Sequence, residues 1–160
     1  MPRPSQPPIG RHLAQVAKLV SRAFDDALSA VGGSRPQWLI LISLKSRPTA
    51  SQRQLADALG IEGATLSQQL GTMEADGLLT RRRDPANRRV HLVELTNAGE
   101  QAFQRLRRAA GRFDQQLRGE LADDDLATLR RLLDQLRRNV ATDPSGPDEQ
   151  PTAGAPQDRT

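Results

Sequence analysis

Apolar residues recur every three or four positions through most of the chain, and the breaks in that spacing mark where elements change. Ile9, Leu13, Val16, Val20, Phe24, Ala27 and Val31 form one helical stripe, which Gly32-Gly33 bring to a stop. Ser34-Arg-Pro-Gln37 has the form of a capping box with a proline in the first turn, so a second helix is expected to start there. Its Trp38, Leu39, Ile40, Leu41, Ile42 and Leu44 leave it apolar on most sides, as in a helix at the buried centre of a domain. Arg47-Pro48-Thr49-Ala50 interrupts the pattern. Ser51-Gln-Arg-Gln54 is another capping box, opening a short helix with Leu55, Ala56 and Leu59 on one face and Gly60 at its end. The next helix is expected from about Glu62 to Asp76, burying Leu66, Leu70 and Met73, with Gly77 terminating it.

The period then changes. Leu78–Arg83 and Arg89–Leu95 read as two short strands, joined by the turn-rich Asp84-Pro-Ala-Asn-Arg88. Thr96 caps a long helix in which Phe103, Leu106, Ala110, Phe113 and Leu117 alternate in steps of three and four, weakened locally by Gly111 and Gly119. A last helix begins at Asp123, where Asp124 and Asp125 complement the helix dipole. Its Leu126, Leu129, Leu133, Leu136 and Val140 make a heptad-like seam. Residues 1–8 are expected to be a disordered lead-in and 142–160 a disordered acidic tail. The expected fold class is mainly α with a small β-hairpin, in the order α-α-α-α-β-β-α-α.

Composition narrows the function. The 160 residues amount to one domain, and with 36% hydrophobic and only 2% aromatic residues the core must be aliphatic, which suits helices packed on helices. Net charge is +4, but Asp143, Asp148, Glu149 and Asp158 against Arg159 give the tail −3, leaving the rest at +7. Lys18 and Lys45 are the only lysines, so 21 of the 23 basic residues are arginine. A GC-rich genome accounts for much of that bias, yet arginine is also the better residue for bidentate contacts to phosphate and guanine. The absence of cysteine excludes disulfides, thiolate metal sites and thiol-based oxidation sensing. No membrane-length apolar run or secretory h-region is present, so a cytoplasmic protein with no membrane partner is expected. His12 and His91 lie far apart without a nucleophile–base motif, phosphate loop or metal spacing; no enzyme activity, cofactor or metal is expected.

Two short helices meeting at Gly60 are a helix-turn-helix candidate, although such pairs are common. The hairpin that follows carries Arg81, Arg82, Arg83, Arg88 and Arg89, opposed locally only by Asp84. A hairpin needs no such density of like charge in order to fold, and a polyanionic partner would neutralise it.

Leu55-Ala-Asp-Ala-Leu-Gly-Ile61, Leu70-Gly-Thr-Met-Glu-Ala-Asp-Gly-Leu-Leu79, Arg83-Asp-Pro-Ala-Asn-Arg-Arg89 and Leu95-Thr-Asn-Ala-Gly99 together resemble the MarR family of bacterial transcription regulators, over roughly residues 9–141. The resemblance implies a winged helix-turn-helix at 34–96, flanked by N- and C-terminal dimerisation helices at 9–33 and 97–141. It places Gly63–Gln69 at the start of a recognition helix in the major groove. With Leu66, Leu70 and Met73 turned inward, Ala64, Thr65, Ser67 and Gln68 face outward. Gln68 suits adenine, and Ala64 and Thr65 suit a thymine methyl. Ser51 and Thr72 are candidate phosphate contacts, with Arg81, Arg83, Arg88 and Arg89 as the wing's DNA-binding residues. Arg89 matches the family's wing-tip arginine in the minor groove. The family's supporting aspartate is replaced by Asn87, leaving Asn87 or Asp84 to hold Arg89, and Glu62 stands where a capping serine is usual. The implied partners are double-stranded DNA with a pseudo-palindromic operator, a second copy of the chain, and a small aromatic or lipophilic effector. Repression relieved by that effector is the expected mode. His12, Val16 and Trp38 are candidates to line the effector site, with ordinary packing as the alternative for each. The competing readings are an intramolecular helical bundle in place of the dimer and a winged-helix module for protein–protein contact in place of a DNA reader.

Overall fold

The computed structural model describes residues 8–48 and 50–141, so the expected disordered segments, apart from Pro8, lie outside the described residues. The elements run α1 (Ile9–Ser29), α2 (Arg35–Ser46), β1 (Ala50–Ser51), α3 (Gln52–Leu59), α4 (Gly63–Ala75), β2 (Leu79–Arg83), β3 (His91–Leu95), α5 (Asn97–Arg118) and α6 (Asp123–Val140). They fall into two units, divided after Gly119.

Local chemistry sets most boundaries. Pro8, placed by sequence in the lead-in, is the N-cap of α1, and its carbonyl accepts from the amides of Arg11 and His12. Gly32, at φ +74°, turns the chain out of α1, while the Gly33 amide bonds back to the Leu28 carbonyl. At Ser51 both halves of the capping box form: the Gln54 amide donates to Ser51 Oγ (3.1 Å) and the Ser51 amide to Gln54 Oε1 (2.9 Å). The box expected at Ser34 is only half made, because Ser34 Oγ accepts from the Gln37 amide but no return bond closes it.

The first unit is built on an aliphatic core, as the composition requires. Leu28, Ile40, Leu41, Leu44, Leu55, Leu66, Leu70, Leu79, Val93 and Leu106 are buried, with Met73 and Phe103 beside them. Removing ten such side chains from water supplies roughly 1.5–3 kcal/mol each. Helix α2 is buried on one side only: Leu39 and Ile42 remain about 40% exposed (43% and 40%), contrary to the expectation of burial on most sides. On α5 most of the apolar stripe packs within the chain: Phe103 and Leu106 are buried, Trp38 stacks on Phe103 and Phe113 meets Phe24. Leu117 stays exposed.

The sheet has three antiparallel strands in the order β1-β3-β2. Hairpin register pairs Leu79 with Leu95 and Arg83 with His91. Strand β1 is an addition to the expected order; two residues carry no periodicity, and Ala50 and Ser51 become a strand only by pairing with Val93 and Leu92. In the second unit, α6 has acidic residues at Asp123–Asp125 and basic ones at Arg137 and Arg138, both favourable to its dipole. Its Leu129, Leu132, Leu133 and Val140 are exposed.

The base of the hairpin is locked to α5 by the Leu95-Thr-Asn-Ala-Gly99 segment. Thr96 Oγ1 accepts from the Gly99 amide (3.0 Å) as helix cap and donates to the Gly77 carbonyl (2.6 Å), while the Thr96 amide donates to the Leu78 carbonyl (3.1 Å). A Cβ on Gly99 would fall on that same Leu78 carbonyl. Gly99→Ala is therefore expected to lower unfolding stability by ~1–3 kcal/mol, the scale of overpacking against atoms that cannot yield. Urea denaturation checks this, and an unchanged midpoint would show that the backbone can move aside.

Candidate nucleic-acid interface

Helix α4 presents the outward face that the inward Leu66, Leu70 and Met73 require. Ala64, Thr65, Gln68 and Thr72 are exposed and Ser67 is half-buried. The Thr72 hydroxyl donates to the Gln68 carbonyl one turn back (3.3 Å), so it meets any partner as an acceptor. Glu62 makes no side-chain cap, and the first backbone bond of α4 is from the Leu66 amide to the Glu62 carbonyl. The helix thus begins with amides lacking intrahelical partners, a locally positive end.

One concavity, of about 640 Å³, gathers three distant parts of the chain: Ser51, Gln52 and Arg53 at the start of α3, Gly63 at the start of α4, and Arg89, Val90 and His91 on the wing, with Asp57 on its wall. Ser51 and Arg89 are brought together here. Arg53 was not among the sequence candidates for DNA contact; only its place beside Ser51 and Arg89 marks it, and His91, whose position on the second wing strand suits solvent or phosphate, lies with it. Thr72 is not in this group and lines a separate depression with Ser34, Pro36 and Gln37.

The five wing arginines separate into two sets. Arg81 gives Glu74 three hydrogen bonds: its amide to Oε1 (3.0 Å), and Nε and Nη2 to Oε2 (2.9 and 2.6 Å). Arg82 pairs with Glu94 across the hairpin, at 3.2 and 2.7 Å. The expectation that Asp84 alone opposes the wing charge is therefore corrected: Glu74 from α4 and Glu94 from β3 also oppose it, and both lie outside the run of sequence that contains the arginines. Arg83, Arg88 and Arg89 are exposed toward the tip.

Neither candidate support reaches the Arg89 guanidinium. Asn87 Oδ1 accepts from the Arg89 backbone amide (3.2 Å), and Asp84 Oδ1 from the Ala86 amide (2.8 Å). Both side chains are used to shape the turn, as short amide and carboxylate side chains commonly are.

A separate groove of about 350 Å³ lies between α1, α2 and α5, with Phe24, Trp38, Leu39 and Phe113 as its apolar wall. Arg35 enters it, donating to Asp25 Oδ1 (2.8 Å) and to the Ser21 carbonyl (2.6 Å). Of the three effector candidates, Trp38 lines this groove, whereas His12 and Val16 are exposed on α1 and are not among its lining residues. Arg35 and Asp25 were missed because a charged pair ten residues apart carries no local signal.

The hydrogen bonds from Arg81 hold the Glu74 carboxyl below its ordinary range. A depressed carboxyl pKa stabilises the fold above the unfolded-state value, and that contribution is lost as pH falls through the folded value. The tie should thus be intact at neutral pH and be lost only below the usual glutamate range. NMR titration of the Glu74 carboxyl carbon is expected to show a midpoint below that of a free glutamate; an ordinary midpoint would mean that the pair does not persist in solution.

Residues 34–91 match the MarR family model. Over 138 residues the chain is 28% identical to the proposed transcriptional regulatory protein for the hcr operon of Thauera aromatica, covering 86% of this chain and 83% of the relative. Among solved structures, a mutant MarR from E. coli complexed with operator DNA superposes with a TM-score of 0.71 at 25% identity, covering 81% of this chain and 93% of that one. The transcriptional repressor CouR bound to a DNA duplex gives 0.73 at 27% identity, covering 82% and 93%.

Proposed function

We propose that the chain, whose residues 34–91 match the MarR family model, is a MarR-family member: a dimeric, sequence-specific DNA-binding regulator that represses until a small aromatic or lipophilic molecule binds. The supporting observation is the convergence of Ser51, the uncapped start of α4 and Arg89 on one concave surface beside the outward Ala64–Gln68 face. A helix fits the major groove, and Thr65, Ser67 and Gln68 are placed to read base edges there. Arg83, Arg88 and Arg89 supply phosphate and minor-groove contacts, and Arg81 positions the wing against α4 through Glu74. Ser51 serves first as a cap, with a phosphate approaching its exposed edge; Thr72 accepts at the margin.

The helices at 9–33 and 97–141 act as the dimerisation region around the winged-helix part at 34–96. Ile9, Leu13, Val16 and Leu19 on α1, together with Leu39 and Ile42 on α2, leave apolar surface that a second copy would cover. The groove at Trp38 suits an aromatic or lipophilic effector, with Arg35 as its polar anchor, and His12 and Val16 complete the site only in the dimer. The protein acts by binding rather than catalysis. No helix of the described residues is long and apolar enough to cross a membrane, and a cytoplasmic location suits a DNA partner.

Selection of duplexes from random DNA should recover pseudo-palindromic sites, with affinity falling steeply as salt rises. Binding indifferent to salt and sequence would favour a protein–protein module instead. Arg89→Ala is expected to weaken binding to the selected site on the order of tenfold, most at A·T-rich flanks. Equal affinities would remove the wing from the interface. Gln68→Ala should relax preference at one position per half-site, by ~1–3 kcal/mol of discrimination; a second selection with the variant reads this directly.

A further inference from the structure

Ser67, Gly71 and Glu74 are spaced by four and three residues, so they lie in one row along α4. The row runs from the base-reading turn to the helix's C-terminal end. Arg81 extends along it from β2, with its guanidinium on Glu74 and its Nη2 just 3.9 Å from where a Cβ of Gly71 would be. Arg81 is thus one helical turn, ~5 Å, short of Ser67. Among the described residues only the Glu74 carboxylate holds the guanidinium there: Gly71 has no side chain to block the path, and the Arg81 side chain remains partly exposed at 26%. The wing's other base arginine, Arg82, is likewise occupied by Glu94.

We propose that Glu74 is a specificity-determining residue of the DNA-binding surface: it withholds Arg81 from the phosphate backbone and fixes the wing to the recognition helix. The inference rests on the DNA-binding reading above. Phosphate contacts strengthen binding to every sequence alike, whereas base contacts and wing placement distinguish one sequence from another. A guanidinium held by a carboxylate adds nothing to sequence-independent affinity, and the tie keeps the helix and wing at one spacing along the duplex. Releasing it should therefore tighten binding to the wrong DNA and reduce the preference for the right one. Loss of a purely structural contact would do the opposite, weakening binding to all DNA together.

The test compares full-length wild type, Glu74→Gln and Glu74→Gln/Arg81→Gln on two probes, the duplex recovered by selection and an unrelated duplex of equal length and base composition. Glu74→Gln is expected to bind the unrelated duplex several-fold more tightly, with a salt dependence steeper by about 0.9 per protomer for one added phosphate contact. Its preference for the selected duplex should fall correspondingly. The double variant has the wild-type net charge and lacks the freed guanidinium, so it should return to the wild-type slope and wild-type affinity for unrelated DNA. An unchanged Glu74→Gln, equal losses on both probes with an unchanged slope, or a double variant that keeps the gain would each overturn the role of Glu74. A wild type that does not distinguish the two probes would instead overturn the DNA-reading function itself.

Discussion

The structure turns on a single crowded point, the carbonyl of Leu78. It accepts from the Thr96 amide and lies where a side chain at residue 99 would have to go. Because α4 ends at Ala75 with Gly77 turning the chain, β2 begins at Leu79 and α5 begins just beyond Thr96, this point joins α4, the hairpin and α5. Thr96 adds its hydroxyl to the Gly77 carbonyl, so both sides of the junction are hydrogen-bonded. Three elements thus share one hydrogen-bonded junction, the arrangement that the proposed joint use of helix and wing on DNA would need.

The charges are arranged on that frame by distance from the junction. Near it, Arg81 and Arg82 are matched by Glu74 and Glu94. Farther out, Arg83, Arg88 and Arg89 project from the turn shaped by Asp84 and Asn87. The pairs at the base tie β2 to α4 and β3, while the tip arginines have no ion-pair partner among the described residues, the arrangement expected of a polyanion binder. Counting arginines overstates the second role, because two of the five are occupied within the protein.

Much of this was legible in the sequence, and the reasons differ by element. Capping residues and glycines are local signals, so the starts at Ser51 and Thr96 and the stops at Gly32, Gly60 and Gly77 could be read directly. The outward row of α4 followed from its buried Leu66 and Leu70 by periodicity alone. What escaped depended on residues far apart in the chain. Strand β1 exists only through β3, the counter-charge for Arg81 comes from another element, and Arg53 joins Arg89 only in the folded protein. Asn87 was visible as a departure from the family pattern, but not that its amide would be directed to the turn backbone.

The exposed stripe of Ile9, Leu13, Val16 and Leu19 on α1 bears on abundance as well as on shape. If two copies must cover it before DNA is gripped, the amount of competent protein at low expression varies with the square of the chain concentration, by mass action. Halving synthesis would then cut occupancy of the operator by more than half. A regulator built this way would respond to its own dilution during growth more steeply than in simple proportion.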